Sequence, residues 1–228
     1  MSKSSQSIRV LIAADHPVVR EGIREVLEKV VDMEVVGEAS EGRAVQELVA
    51  ALQPDILLLD LIMPGPRSAD IARWVRHYYP ETVTLILTAH DRDAFLAEME
   101  QAGAVGYLTK EEDFPTLVAA VRRAAQGEVL FSGEQLWRAH RWRQEVGARW
   151  ESLTAREQEV AQLLAQGVRN RQLAARLGIS EHTVETHVGQ LLHKLEVSSR
   201  TAVVVWLWEH SLVVGKSRTG GNPPEKDG

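Results

Sequence analysis

Five short apolar runs, at positions 9–13, 34–38, 55–59, 82–87 and 105–108, alternate with five stretches of helical periodicity, at 18–30, 42–52, 69–78, 93–101 and 114–126. Consecutive strands joined through helices run parallel, and a parallel sheet needs helices over both faces. The first half therefore reads as an α/β, doubly wound, five-stranded parallel sheet. Such sheets carry their sites beyond the carboxyl ends of the strands. Asp15, Asp60 and Thr88 fall there, and Lys110 sits at the end of the fifth run.

After Gly127 the alternation stops. The stretch "SGEQLWRAHRWRQEVGAR" is a connector rich in Trp and Arg, and from Leu153 onward only helical signals remain. Thr154 with Glu157 three residues on is a capping box. "NRQLAARLGIS" is a short helix stopped at Gly178, and Ser180 caps another that runs to about Leu195. A last segment, 201–212, contains "VVVWLW", which favours strand on propensity alone; its length and its neighbours favour helix. The expected division is 7–127, a linker at 128–150, an all-α unit at 151–214, and a disordered polar, Gly/Pro-rich tail at 215–228.

Charge supports two units with different partners. Residues 1–126 hold 13 Lys+Arg against 20 Asp+Glu, while residues 127–228 hold 13 against 12. The chain has no cysteine, which excludes disulfides, thiolate zinc sites and a cysteine nucleophile. It has neither an apolar run long enough to span a bilayer nor an apolar signal core, so a cytoplasmic location without membrane attachment is expected.

Asp60 ends a wholly apolar strand, "DILLLDLIMPG", and a Pro-Gly turn follows. Taken alone, it is a nucleophile, a metal ligand or a cap on the loop. Together, two carboxylates, a hydroxyl and an ammonium on one rim suit transfer of a phosphoryl group to an aspartate. Magnesium would lower the repulsion between the two anions, and Lys110 would pair with a phosphoryl oxygen.

"VLIAADHPVVREG", "DILLLDLIMPG", "LTAHD" and "GYLTK" stand in the order and spacing of a receiver domain. "LTAREQEVAQLLAQGVRNRQLAARLGISEHTVETHVGQLLHKLEVSSRTAVV" is similar throughout to a LuxR-type helix-turn-helix domain. The chain resembles a two-component response regulator of the NarL/FixJ type from Ile8 to Val213. The resemblance implies a flavodoxin-like receiver in which Asp60 is the phospho-acceptor. Asp15, Asp60 and the backbone carbonyl of Ile62 would hold magnesium. Thr88 would move to the phosphoryl group, Lys110 would pair with it, and Tyr107 would couple its rotamer to Thr88. Without the resemblance, Tyr107 reads as an ordinary half-buried strand aromatic.

Two positions depart from the family's pattern. Receivers carry an acidic pair where this chain has Ala14-Asp15, so one oxygen ligand and one negative charge are missing, and weaker magnesium binding is expected. In "MPGPRSAD" the family has glycine at the position of Ser68. His16, beside Asp15, reads as a proton shuttle or, more simply, as the entry turn of a helix before Pro17.

The helix after Ser180 divides by its 3.6 period into a buried stripe, Val184, Val188, Leu191 and Leu195, and an exposed face. His182, Thr186, Gly189 and His193 lie on that face, with Thr183, Glu185 and Gln190 beside them. This is the face expected in the DNA major groove. Glu185 suits a cytosine amino group or is a solvated helix charge; Gln190 suits adenine and Thr186 a thymine methyl. Phosphate anchoring is expected from Arg169, Asn170, Arg171, Lys194 and Arg200, and the last helix offers Val203, Val204 and Leu207 for self-pairing or for its own small core. The connector is either a further nucleic-acid contact or an amphipathic element packed on one domain.

The expected function is DNA-binding transcription regulation, switched when a histidine kinase phosphorylates Asp60 and a homodimer forms. A rival is an atypical regulator whose receiver docks a partner without phosphorylation. A phosphatase-like enzyme using Asp60 as nucleophile lacks a general acid and a substrate pocket, so no enzymatic activity is expected.

Overall fold

A computed structural model describes residues 7–210 and 212–213; the expected tail at 215–228 lies outside the described residues. The chain divides between Arg143 and Gln144 into two compact units.

In the first unit, strands β1 (Ile8–Ala13), β2 (Met33–Ala39), β3 (Ile56–Leu59), β4 (Val83–Thr88) and β5 (Gly106–Thr109) form one sheet in the order β2-β1-β3-β4-β5. All four pairings are parallel. The strands' alternation sends successive side chains to opposite faces. Val10, Ile12, Ile56, Leu58, Leu85 and Leu87 pack with α1 (Pro17–Leu27) and α5 (Phe114–Ala125) on one face. Leu11, Ala13, Leu57, Leu59 and Ile86 pack on the other, with α2 (Gly42–Leu52), α3 (Ser68–Tyr78) and α4 (Asp93–Ala102). Chain direction across the sheet reverses between β1 and β3, which opens the crevice at their carboxyl ends where such folds bind ligands.

Helix α1 ends three residues before the expected 30. Glu28 caps it, and the β-branched pair Val30-Val31 falls in a turn, with Val30 donating its N–H to Leu27 O at 3.0 Å. After α5 the chain returns to the sheet edge, where Leu130 N donates to Val105 O at 2.6 Å. A Cβ on Gly106 would stand 2.8 Å from Leu130 Cβ and 2.9 Å from Leu85 Cδ1, so only glycine lets this segment lie so close. The chain then forms α6 (Gly133–Trp142), started by a capping box between Ser132 and Gln135. This part of the expected linker packs on α4, burying Ala139 and placing Trp142 against the α2–α4 core.

A π-helical turn (Arg143–Gly147) leads into α7 (Ala148–Glu151), α8 (Ala155–Ala165), α9 (Asn170–Leu177), α10 (Glu181–Leu195) and α11 (Arg200–Glu209). The Thr154–Glu157 capping box starts α8, and Gly178, at φ 65°, ends α9 in the left-handed region. The segment 200–209 is helical despite its β-branched run, because Ser199 caps it and the apolar side chains recur at helical spacing. Val203, Trp206 and Leu207 point into the small core, while Val205 and Trp208 lie exposed. Val203 and Leu207 thus close the unit's own core and are not free for self-pairing.

Candidate functional site

Asp60 follows β3 directly, and its N–H donates to Ala13 O at 2.8 Å, which keeps it in register with the end of β1. The residue is only 5% exposed. Burying a carboxylate at this depth requires a partner, and Lys110, just past β5, supplies its ammonium to Asp60 Oδ2. The Ile62 N–H lies 3.4 Å from Oδ1. Asp15, at the end of β1, places Oδ1 2.5 Å from His16 Nδ1. His16 is the N-cap residue of α1, before Pro17, as the entry-turn reading expects. Arg20, not singled out from the sequence, donates through Nη1 to Ala14 O at 2.6 Å and Asp15 O at 3.1 Å, clamping the loop beneath Asp15.

The residues present fit magnesium by donor chemistry. Mg²⁺ takes one or two carboxylates and completes its shell with water and phosphoryl oxygens. Asp15, Asp60 and the Ile62 carbonyl are hard oxygens at adjoining strand ends. Among the described residues no group of three or more His, Cys, Asp or Glu side chains is placed to hold a metal. Ala14 is 2% exposed, so where the resemblance implies a second carboxylate the chain has a packed methyl group.

Thr88 is wholly buried at the end of β4, and its Oγ1 accepts from His90 N at 3.1 Å. Tyr107, in β5, is 2% exposed and donates its hydroxyl to His90 O. Burial, followed by the nearby Asp91 charge, pushes its phenol well above the usual range, so it stays protonated as a donor. Thr88 and Tyr107 therefore meet on the backbone of one residue, His90, Thr88 at its N–H and Tyr107 at its C=O. The next residues of the same loop bind α6. Arg138 forks onto Asp91 (Nη2 at 2.9 Å, Nη1 at 3.1 Å) and reaches Asp93 through Nε at 2.7 Å. Arg141 reaches Asp93 at 3.3 Å, Arg143 pairs with Glu100, and Gln135 Nε2 donates to Tyr107 O at 3.0 Å. Hydrogen bonds to Asp91 and Asp93 raise the Arg138 pKa further above its ordinary range. These arginines are spent on carboxylates within the first unit, which favours the packed-connector reading of this stretch over the nucleic-acid one. The indole N–H of Trp142, buried in the same contact, has no hydrogen-bond partner among the described residues.

In the second unit, α10 buries Val184, Leu191 and Leu195 and exposes His182, Glu185, Thr186, Gly189, Gln190 and His193. Thr183 is half-buried, its hydroxyl 2.8 Å from Ser180 Oγ at the cap. Thr186 donates back to His182 O at 3.1 Å. Among the expected phosphate contacts, Arg169 and Arg171 are exposed. Arg200 instead ties helix starts together, through Asn170 Oδ1 at 2.7 Å and Val168 O. Lys194 donates to Glu157 Oε2 at 2.7 Å and Ser152 O at 3.2 Å.

Glu157 is 2% exposed. Burial alone would push its carboxyl up, but hydrogen bonds from Lys194 and Thr154 outweigh burial and hold it below the ordinary value of 4.5. A depressed carboxylate contributes stability above its unfolded pKa and loses it as the pH falls through the folded one. Glu157→Gln is expected to cost the second unit about 1–2 kcal/mol at neutral pH and to flatten its stability loss below the ordinary value. Urea unfolding across acid pH, followed by tryptophan fluorescence, checks both; an acid slope unchanged in the variant contradicts the assignment.

Two family models match the chain: the response regulator receiver domain over residues 10–122 and the luxR family of bacterial regulatory proteins over residues 151–207. The chain is 39% identical over 200 residues to the nitrate/nitrite response regulator protein NarP of Escherichia coli, covering 86% of this chain and 93% of NarP. It is 37% identical over 216 residues to the transcriptional regulatory protein YxjL of Bacillus subtilis, covering 92% of this chain and 99% of YxjL. Among solved structures, Salmonella enterica RcsB bound to promoter rprA with phosphomimetic BeF3- is similar at 26% identity and a TM-score of 0.56, over 89% of this chain and 99% of RcsB.

Proposed function

The chain belongs to the NarL-type response regulators, DNA-binding proteins that join a receiver to a LuxR-type domain, and on that premise we propose that phosphorylation of Asp60 by a partner histidine kinase switches it as a transcription regulator. The observation that carries the proposal is the buried Asp60 carboxylate under the Lys110 ammonium, with Thr88 and Tyr107 both bonded to the backbone of His90. An Asp60 oxygen attacks phosphorus as the bond from phosphorus to the kinase's histidine nitrogen breaks, and the imidazole leaves with the electron pair. Lys110 is placed to balance charge on the phosphoryl oxygens. Asp15, Asp60 and the Ile62 carbonyl would hold magnesium, which neutralises phosphoryl charge when bound.

Thr88 Oγ1 would then trade the His90 N–H for a phosphoryl oxygen. The loop at 88–93 moves with it, and Arg138 loses its fork on Asp91. Helix α6 is freed from α4, and the equilibrium shifts toward a DNA-competent homodimer. The functional division follows as receiver 7–127, linker 128–150 and DNA-binding domain 151–214. His182, Thr183, Glu185, Thr186, Gly189, Gln190 and His193 would face the major groove, with Arg169 and Arg171 on phosphates. Lys194, Asn170 and Arg200 would serve chiefly to hold the helices in place. Few free cations mean modest affinity for one domain and dependence on dimerisation. Among the described residues no helix is long and apolar enough to cross a membrane, and a DNA-binding regulator without enzymatic activity in the cytoplasm is the reading we adopt.

Ala14 favours a second reading, a receiver that docks a partner without phosphorylation. Acetyl phosphate or beryllofluoride with magnesium separates the two: a change in mass or size and a gain in DNA affinity supports the switch, and no response supports docking. Under the switch, Ala14→Asp restores the missing carboxylate and is expected to tighten magnesium binding at least about tenfold, the lower end of the scale for losing even a group that supports a ligand. Calorimetric titration reads this directly, and an unchanged affinity contradicts the role given to Ala14.

A further inference from the structure

Ser68 stands where receivers carry glycine, and the structure gives its side chain a specific task. It is the first residue of α3, is 4% exposed, and holds Oγ 2.8 Å from both Asp60 O and Leu61 O. A hydroxyl has one proton to donate, and here two consecutive carbonyls share it. Glycine has nothing to offer either of them.

The second carbonyl matters most. The Leu61 C=O and the Ile62 N–H belong to one planar peptide. Fixing the oxygen at Ser68 fixes the direction of the N–H at the other end, which faces Asp60 Oδ1 at 3.4 Å. The first carbonyl is that of Asp60 itself, so the same hydroxyl also fixes the backbone from which the acceptor side chain projects. The loop so held is "LIMPGPR", and no side chain caps α3 at Arg67. The anchor thus lies at the helix end of the loop and acts at the strand end.

We propose that Ser68 is a positioning residue for phosphoryl transfer to Asp60, acting through the 61–62 peptide; the proposal rests on the phosphorylation read in the preceding subsection. When Asp60 is phosphorylated by acetyl phosphate, one carboxylate oxygen forms the bond to phosphorus. The bond from phosphorus to the acetyl oxygen breaks, and acetate departs with the electron pair. The other Asp60 oxygen becomes the carbonyl of the acyl phosphate. Its orientation relative to the Ile62 N–H decides which oxygen points toward the incoming phosphorus. A held peptide presents that orientation in advance.

The test compares the parent chain with Ser68→Ala and Val75→Ala, the last weakening the buried packing of α3 seven residues further along the helix from Ser68. Phosphorylation is followed by mass over a range of acetyl phosphate concentrations with magnesium. Exchange of the Ile62 amide with solvent is followed by NMR. Ser68→Ala is expected to lower the maximal rate about tenfold, the scale of one lost hydrogen bond, with the half-saturating concentration unchanged. Its Ile62 amide exchanges faster, whereas Val75→Ala alters neither the maximal rate nor that amide. A phosphorylated parent with Ser68→Ala keeping pace, or slowing only in step with Val75→Ala, overturns the role of Ser68 alone. A parent that takes up no phosphoryl group overturns the underlying reading, and the role of Ser68 in transfer with it.

Discussion

Asp60→Asn is expected to abolish every phosphoryl-dependent gain in DNA affinity while leaving basal binding as in the parent. The amide nitrogen is not a competent nucleophile, so no acyl phosphate forms at this position. The variant is close to isosteric, and the residue's N–H bond to Ala13 O does not depend on its side chain. The sheet should therefore survive. Lys110 loses its ion partner, but its side chain is 20% exposed and can turn to water, so the fold loses little. DNA binding by fluorescence anisotropy, with and without acetyl phosphate and magnesium, reads the effect. A response that persists in the variant places the switch somewhere other than Asp60.

Arg138→Ala is expected to free α6 in the unphosphorylated chain. The guanidinium makes three charge-assisted hydrogen bonds, two to Asp91 and one to Asp93. Its own side chain is 20% exposed, against 49% for Asp91 and 26% for Asp93. Solvent competes at Asp91, so the set is worth about 2–3 kcal/mol rather than the sum of three isolated bonds. Removing it shifts docking of α6 by about a hundredfold. Trp142 is a built-in reporter: its indole N–H is buried with no partner among the described residues and is expected to gain water as the helix leaves. Faster amide exchange across 133–142, a change in tryptophan emission and a smaller further response to acetyl phosphate are the expected signs. Exchange as slow as in the parent shows that apolar packing alone holds α6, and the account of release through the 88–93 loop then fails.

The legible part of the molecule is the part written in period and punctuation. Alternating apolar runs gave β1 to β5 to within a residue or so, because strands covered on both faces are built mainly from apolar residues. Thr154, Gly178 and Ser180 marked helix ends by local chemistry that does not depend on the rest of the fold. Asp15, Asp60, Thr88 and Lys110 were legible because strand ends converge on one rim. Other features depend on pairs distant in sequence. Arg138 finds Asp91 and Asp93, and Lys194 finds Glu157, only once helices have packed. Before that, each is one more surface cation, and Lys194 and Arg200 look like phosphate anchors although they bind the protein itself. Ser68 stood out as a departure from glycine, but its meaning required the carbonyls of Asp60 and Leu61 to be seen beside it. The β-branched run in α11 misleads on propensity, and the depths of Trp206 and Trp208 separate inward from outward only on a helix.

The central claim is that phosphate at Asp60, held by a pocket short of one carboxylate, controls DNA binding. It is tested most directly by one titration of promoter DNA against the full-length protein. The protein is treated with acetyl phosphate alone, magnesium alone, and both together, and intact mass is recorded for each sample. The account predicts one added phosphoryl group and tighter DNA binding only when both are present, with a magnesium requirement that Ala14→Asp reduces. DNA affinity that is the same in all samples, whatever the mass, would contradict it.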